Sequence, residues 1–119
     1  MRIDHAGSEA KGWYFGPWKS SFGISVGFAN QGIDEPHVHS EVTEIYLVAR
    51  GSARVRVGQN TVSVREGDVL TVEPGEGHTF LENSSDYFHF VVQSPGLQGD
   101  GAVTEKGALL HAELRHRCP

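Results

Sequence analysis

The sequence predicts an all-β domain, a barrel or sandwich of short strands. Three observations predict it. Between residues 19 and 93 the apolar residues come in short runs bounded by turn residues, the length and spacing of strands. Glycine is abundant, at 15 residues against 5 prolines, and the glycines fall between those runs. Over the same span no stretch carries a helical period.

Taken in order, residues 1–12 are polar and small and read as an arm. Trp13-Tyr14-Phe15-Gly16-Pro17-Trp18 then sets four aromatics in six residues. Left in water these would form a costly apolar patch, so the segment covers the barrel or enters a subunit interface. The interface, and with it a homodimer, is the expectation. Phe22 to Phe28 alternates large apolar with small residues, a strand. Asn30 to Pro36 is a loop. Glu44 to Arg50 is strand-like and ends at Gly51. Ser52 to Val57 alternates strictly, with Arg54 and Arg56 on one face and Val55 and Val57 on the other. Gly58-Gln59-Asn60 turns the chain into Thr61 to Val64, a hairpin by its spacing. Val69 to Val72, His78 to Leu81 and Tyr87 to Val92 are further strands, separated by turns at Glu66-Gly67-Asp68, Pro74 to Gly77 and Asn83 to Asp86. Leu110 and Leu114 can share a face of a short C-terminal helix. The organisation expected is an arm over 1–21, a barrel over 22–95 and a tail over 96–119.

At 119 residues the chain is long enough for one domain with a modest core. A net charge of −5 and the lack of a basic stripe argue against nucleic acid as a partner. The lone cysteine, Cys118, excludes an internal disulfide and fits a reducing compartment. No apolar segment reaches membrane-spanning length, and the N-terminus lacks a signal-peptide core. A cytoplasmic protein with no membrane partner is the expectation.

The chemistry is concentrated in two stretches. Pro36-His37-Val38-His39-Ser40-Glu41-Val42-Thr43-Glu44 holds two histidines and two carboxylates. Glu73-Pro74-Gly75-Glu76-Gly77-His78 holds a third histidine. On a strand, residues two apart point the same way, so the imidazoles of His37 and His39 can take neighbouring positions on one metal ion. Glu44 has the wrong parity for a regular strand and joins them only if the chain bends between Ser40 and Thr43. Glu41 has the right parity but sits closer to the bend, and parity alone does not choose between them. His78 follows a glycine-rich turn and opens a strand, so a rigid backbone aims it. Taken singly, a surface His-x-His is usually a solvated pair. Three histidines and a carboxylate at strand beginnings of a small β domain point instead to a metal site. Imidazole suits iron, copper, nickel and zinc, and a carboxylate extends the choice to manganese.

These residues resemble the two motifs of the cupin family. The first motif is Gly-x5-His-x-His-x(3 or 4)-Glu-x6-Gly. His37, His39, Glu44 and Gly51 fill it without adjustment, and Gly32 stands one residue too close. The second is Gly-x5-Pro-x-Gly-x2-His-x3-Asn. Gly67, Gly75 and His78 fall in register, while Glu73 holds the proline position and Glu82 the asparagine position. The resemblance covers roughly residues 22–93. It implies a cupin-type double-stranded β-helix, or jelly-roll barrel. It also implies one divalent ion per chain (iron, manganese, nickel or zinc) on His37, His39, Glu44 and His78, with Glu41 at the rim.

Four such ligands leave about one unit of positive charge, which favours an anionic or chelating substrate. The function expected is a metal-dependent enzyme on a small polar or anionic metabolite. It would be either an iron-type oxygenase, an oxidoreductase of the dioxygenase kind, or a non-redox lyase or isomerase. The alternative is a non-catalytic binding or sensing cupin, disfavoured by the intact ligand set and by the lack of an attached helix-turn-helix segment. Two catalytic candidates stand beside the ligands. Tyr46 shares the parity of Glu44 and is a general acid or base, or plain core. His89, between Phe88 and Phe90, faces either pocket or solvent. Phe80 shares the parity of His78 and forms an apolar wall. Arg54 and Arg56 read as a solvated sheet face, from which one could reach a substrate carboxylate. His5, His111 and His116 read as surface residues.

Overall fold

In the computed structural model, which describes residues 1–19, 21–31, 36–96 and 106–108, ten strands follow one another and no helix forms among those residues. They are β1 (Lys11–Phe15), β2 (Ser25–Ala29), β3 (His37–His39), β4 (Thr43–Arg50) and β5 (Ser52–Val57), then β6 (Asn60–Arg65), β7 (Val69–Val72), β8 (His78–Asn83), β9 (Phe88–Ser94) and β10 (Lys106–Ala108). They build two five-stranded antiparallel sheets, in the orders β1-β2-β9-β4-β7 and β10-β3-β8-β5-β6. Consecutive strands β3 and β4 lie in different sheets, as do β4 and β5 and then β8 and β9. That alternation makes the jelly roll, in which each sheet turns one face inward.

The inner faces carry the core. Tyr46, Val48, Val72 and Val91 from the first sheet meet Ala53, Val55, Val64 and Phe80 from the second, and Tyr87 joins them from just before β9. Alternation along each strand sends these residues in and their neighbours out. The outer face of the first sheet is also apolar. In cross-strand register, Phe28, Phe90, Leu47 and Val69 form one row and Val26, Val92 and Ile45 another. Leu47, Phe90 and Val69 of that face are exposed, and so are Trp13 and Trp18.

The sheets extend beyond the expected barrel limits of 22–95. The expected arm contributes an edge strand, since β1 pairs with β2 from Lys11↔Ala29 onward. Tyr14 thereby packs on Phe28, ring centroids 5.1 Å apart. The expected tail contributes β10, which pairs with β3. The expected helix at Leu110 and Leu114, and the surface readings of His111 and His116, lie outside the described residues. His5 is exposed as expected.

The β5–β6 hairpin forms as its spacing predicts. Its two-residue turn has a positive φ at Gly58 (57°) and not at Gln59, the type II′ pattern that matches strand twist. One reading of this hairpin is corrected. Arg54 is exposed and pairs with Glu82 at 3.1 Å, but Arg56 is fully buried rather than solvated. Its guanidinium folds back over the turn it precedes, donating from Nε to the Gly58 carbonyl at 2.7 Å and from Nη1 to Thr61 Oγ1 at 3.3 Å. Alternation sets only the face of the sheet; what covers that face is a tertiary matter. Among the described residues no helix is long and apolar enough to cross a membrane.

Candidate metal centre

Three elements converge at one end of the barrel. β3 carries His37 and His39, β8 opens with His78, and His37 and His78 are direct cross-strand partners. Glu44 arrives on β4 from the opposite sheet. The chain bends at Ser40 and Glu41 and then changes sheets, which resolves the parity conflict. Glu44 faces back across the barrel toward the histidines, while Glu41 stays exposed on the bend.

All four predicted ligands meet at one atom. Glu44 Oε1 lies 3.4 Å from His37 Nε2, 3.1 Å from His39 Nε2 and 2.9 Å from His78 Nε2. His37, Glu44 and His78 form a buried group whose ligand atoms all lie within 4.8 Å of one another. His39 touches the shared oxygen without completing that mutual group. Tyr46 donates its hydroxyl to the same oxygen at 3.1 Å and sits 3.3 Å from His78 Nε2. Glu44 Oε2 accepts from Gln93 Nε2 at 3.1 Å. Gln93 is the cross-strand partner of Glu44, so register alone aims the amide at the carboxylate.

The turn before β8 is built to aim His78. Glu73-Pro74-Gly75-Glu76 closes with the Glu76 amide donating to the Glu73 carbonyl at 3.1 Å. Gly75 has a φ of 85°, and proline followed by positive-φ glycine is the type II turn. The Gly75 amide then donates to the His39 carbonyl at 2.8 Å, and the Gly58 amide to the Gly77 carbonyl at 2.8 Å. The turn is thus tied to both neighbouring strands. Displacing the motif's proline by one residue keeps a proline in this turn, directly before the glycine.

Burial alone would raise the pKa of Glu44. Hydrogen bonds from His37, His39 and His78, and the charge of His78, outweigh it and hold the carboxyl well below the usual range. An anion therefore sits at the focus of three imidazoles. The donor set fits a divalent cation. His78 Nδ1 lies 3.1 Å from the Glu76 carbonyl while its Nε2 faces the Glu44 carboxylate. Both nitrogens thus face acceptors, yet a neutral imidazole has one proton to give. With the proton on Nδ1, the Nε2 lone pair is left to accept from the Tyr46 hydroxyl at 3.3 Å or to bind a cation, and the Nδ1–H to carbonyl contact is the usual support of a ligating histidine. The 2.9–3.4 Å separations also match neighbouring ligands on one ion, since bonds of about 2.1 Å at right angles put their atoms roughly 3 Å apart.

Tyr46 lines the centre and is buried. His89 is buried too, which decides between its two readings: it faces the interior, not solvent. It sits one layer below the ligands, edge-on to Tyr46 with ring centroids 5.0 Å apart. Phe80 walls the same layer, 5.2 Å from both rings. Sequence reasoning missed two residues here. Gln93 and Tyr87 share the parity of His89, and that parity was the available signal. Their partners, Glu44 and the His89 ring, depend on packing and on pairing between distant strands.

Residues 19–115 match the family described as the AraC-like ligand binding domain. A curated relative, an uncharacterised protein of Streptomyces coelicolor, is 39% identical over 61 residues, 51% of this chain and 55% of that protein. The chain thus spans about half the length of the curated relative it matches. Among solved structures, the Streptomyces protein Pac13 with uridine superposes with a TM-score of 0.63 at 13% identity, covering 74% of this chain and 69% of that one. Another structure of Pac13 describes it as a nucleoside dehydratase. KdgF from Halomonas superposes at 0.62 with 16% identity, covering 76% and 80%. At these identities the structural likeness establishes the fold. The chain is a small cupin and belongs to the AraC-like ligand binding domain family.

Proposed function

We propose that the domain is a metal-dependent enzyme acting on a small polar or anionic metabolite. His37, His39, Glu44 and His78 hold one divalent ion, and Tyr46 moves a proton beside it. The observation that carries this reading is the Tyr46 hydroxyl, 3.1 Å from Glu44 Oε1 and 3.3 Å from His78 Nε2. It places a buried proton donor against the ligand atoms themselves, a group that holding an ion does not require. The ion, when bound, supplies Lewis-acid polarisation of a substrate oxygen, with redox chemistry added if it is iron. One carboxylate among neutral imidazoles leaves the centre positive, which selects anionic or chelating substrates. Gln93 keeps Glu44 aimed, and Phe80 and His89 hold the Tyr46 ring from below. Both an iron-type oxygenase and a non-redox lyase or isomerase fit these roles.

The test is turnover of a panel of small organic acids and nucleosides by protein loaded in turn with iron(II), manganese, nickel and zinc. Oxygen uptake and product mass are read together. Oxygen uptake only with iron supports the oxygenase; product without oxygen supports the lyase or isomerase. Tyr46→Phe should lower turnover by about 10²-fold or more, the usual contribution of a positioned acid or base. Undiminished turnover in that variant would remove Tyr46 from the reaction. The family match favours a second reading, a ligand-binding or sensing module. Under it, calorimetry finds a ligand that binds and is recovered unchanged with every metal.

A further inference from the structure

Below the metal centre the barrel holds a buried polar pair that ligation does not use. Tyr87 is 1% exposed and His89 is 4% exposed. Tyr87 Oη lies 2.7 Å from His89 Nδ1. The two residues are two apart, so strand parity turns both inward. The His89 ring then meets Tyr46 at 74° and lies along Phe80 at 34°.

Counting hydrogens selects one arrangement. If the phenol donates to Nδ1, the imidazole carries its proton on Nε2 and the phenol proton has its acceptor. If instead Nδ1–H donates to the phenol oxygen, in the neutral ring or in the cation, the phenol proton needs another acceptor. Among the described residues the Tyr87 hydroxyl has no second hydrogen-bond partner. A buried hydroxyl proton without an acceptor carries its full desolvation cost. Burial also pushes the Tyr87 phenol up from its ordinary value, which keeps the proton on oxygen.

We propose that Tyr87 is a positioning residue: its hydroxyl donates to His89 Nδ1, holds the imidazole neutral with its proton on Nε2, and so fixes the ring against which Tyr46 packs. Tyr46 is held from one side by His89 and Phe80, while its hydroxyl is shared between Glu44 and His78. A ring that flips or changes tautomer beneath it would alter where that hydroxyl points. This consequence for catalysis rests on the function proposed above; the tautomer does not.

The test is the imidazole nitrogen spectrum of the zinc-loaded full chain by NMR, with His89 assigned through its contacts to Phe80 and Tyr46. Wild type should show the Nε2–H form favoured by about tenfold, the ratio that one net hydrogen bond sustains. Tyr87→Phe keeps the ring and removes the donor. It should reduce that preference toward the weaker one of an unpartnered imidazole and leave zinc affinity unchanged. Once a substrate is known, it should lower kcat without raising KM. An Nδ1–H or doubly protonated His89 in wild type at neutral pH overturns the proposal, as does an unchanged preference in Tyr87→Phe. If that variant does not fold, wild type still decides. A Tyr87 hydroxyl proton with a cross peak to His89 Hε1 supports the assignment, and a proton bound to Nδ1 refutes it. Zinc affinity and turnover report separately on the metal centre, so loss of the enzyme reading would leave the tautomer result standing.

Discussion

Gln93 offers a sharp test of how the carboxylate is held. It is buried on β9 and donates to Glu44 Oε2 at 3.1 Å, leaving Oε1 to the histidines. Gln93→Met keeps the length and most of the volume of the side chain and removes the donor. The packing cost of such a near-isosteric change is small, under about 1.5 kcal/mol. The lost hydrogen bond is to a charged acceptor and is worth about 1.5–3 kcal/mol. In the metal-free variant Glu44 can swing toward other donors, and metal binding must then recover the aimed rotamer unaided. The whole hydrogen bond is therefore the ceiling, roughly 10- to 150-fold in affinity at about 1.4 kcal/mol per tenfold. Residues that support metal ligands from behind cost about 10- to 100-fold when removed, which falls in the same range. Zinc and cobalt titrations against a competing chelator should find Gln93→Met weaker by that factor. Affinity within about twofold of wild type would show that Gln93 does not orient the ligand.

Three further outcomes are expected. Glu44→Gln should weaken metal binding more than Gln93→Met does, and Glu41→Gln should leave it unchanged, since Glu41 stands exposed on the bend; the reverse order in a chelator titration would misplace the carboxylate ligand. We propose a homodimer, with the exposed Trp13 and Trp18 at the contact. Sedimentation should then give twice the 13.0 kDa chain mass, falling toward one chain in the Trp13→Ser, Trp18→Ser variant; a monomeric wild type would refute it. Stability should fall as pH rises past about 10, because the unfolded chain ionises Tyr87 there while burial keeps its proton in the fold. The slope from one such group is about 1.4 kcal/mol per pH unit, and Tyr87→Phe should remove that share in alkaline urea titrations.

Local pattern carried much of this site. His37 and His39 are together because alternation puts residues two apart on one face, and His78 because a glycine-rich turn precedes it. Glu44 marks where local pattern stops. Its parity was wrong for the strand of His39, and only the sheet change after the bend makes it right. That change is a property of the jelly roll, so it was reached through a motif and not through periodicity. Gln93 and Tyr87 were passed over for a related reason. The Gln93 amide matters because β9 pairs with β4 across a separation of 49 residues, which no window of sequence displays. Arg56 differs: alternation names its face, but the chain buries that position, and the guanidinium bonds its own hairpin turn through Nε and Nη1 while Nη2 is left without a hydrogen bond among the described residues. The aromatic segment looked like part of an arm because an edge strand needs only one partner, and β1 found it in β2.

The proposed function stands on one divalent ion held where His37, His39, Glu44 and His78 converge. Elemental analysis of metal-replete protein tests it most directly, comparing wild type with the His37→Ala, His78→Ala double variant. Those two residues are cross-strand partners and two of the three in the compact buried group, so removing both empties one wall of the site. Wild type should hold about one ion per chain and a folded double variant essentially none. Full occupancy in that variant would contradict it.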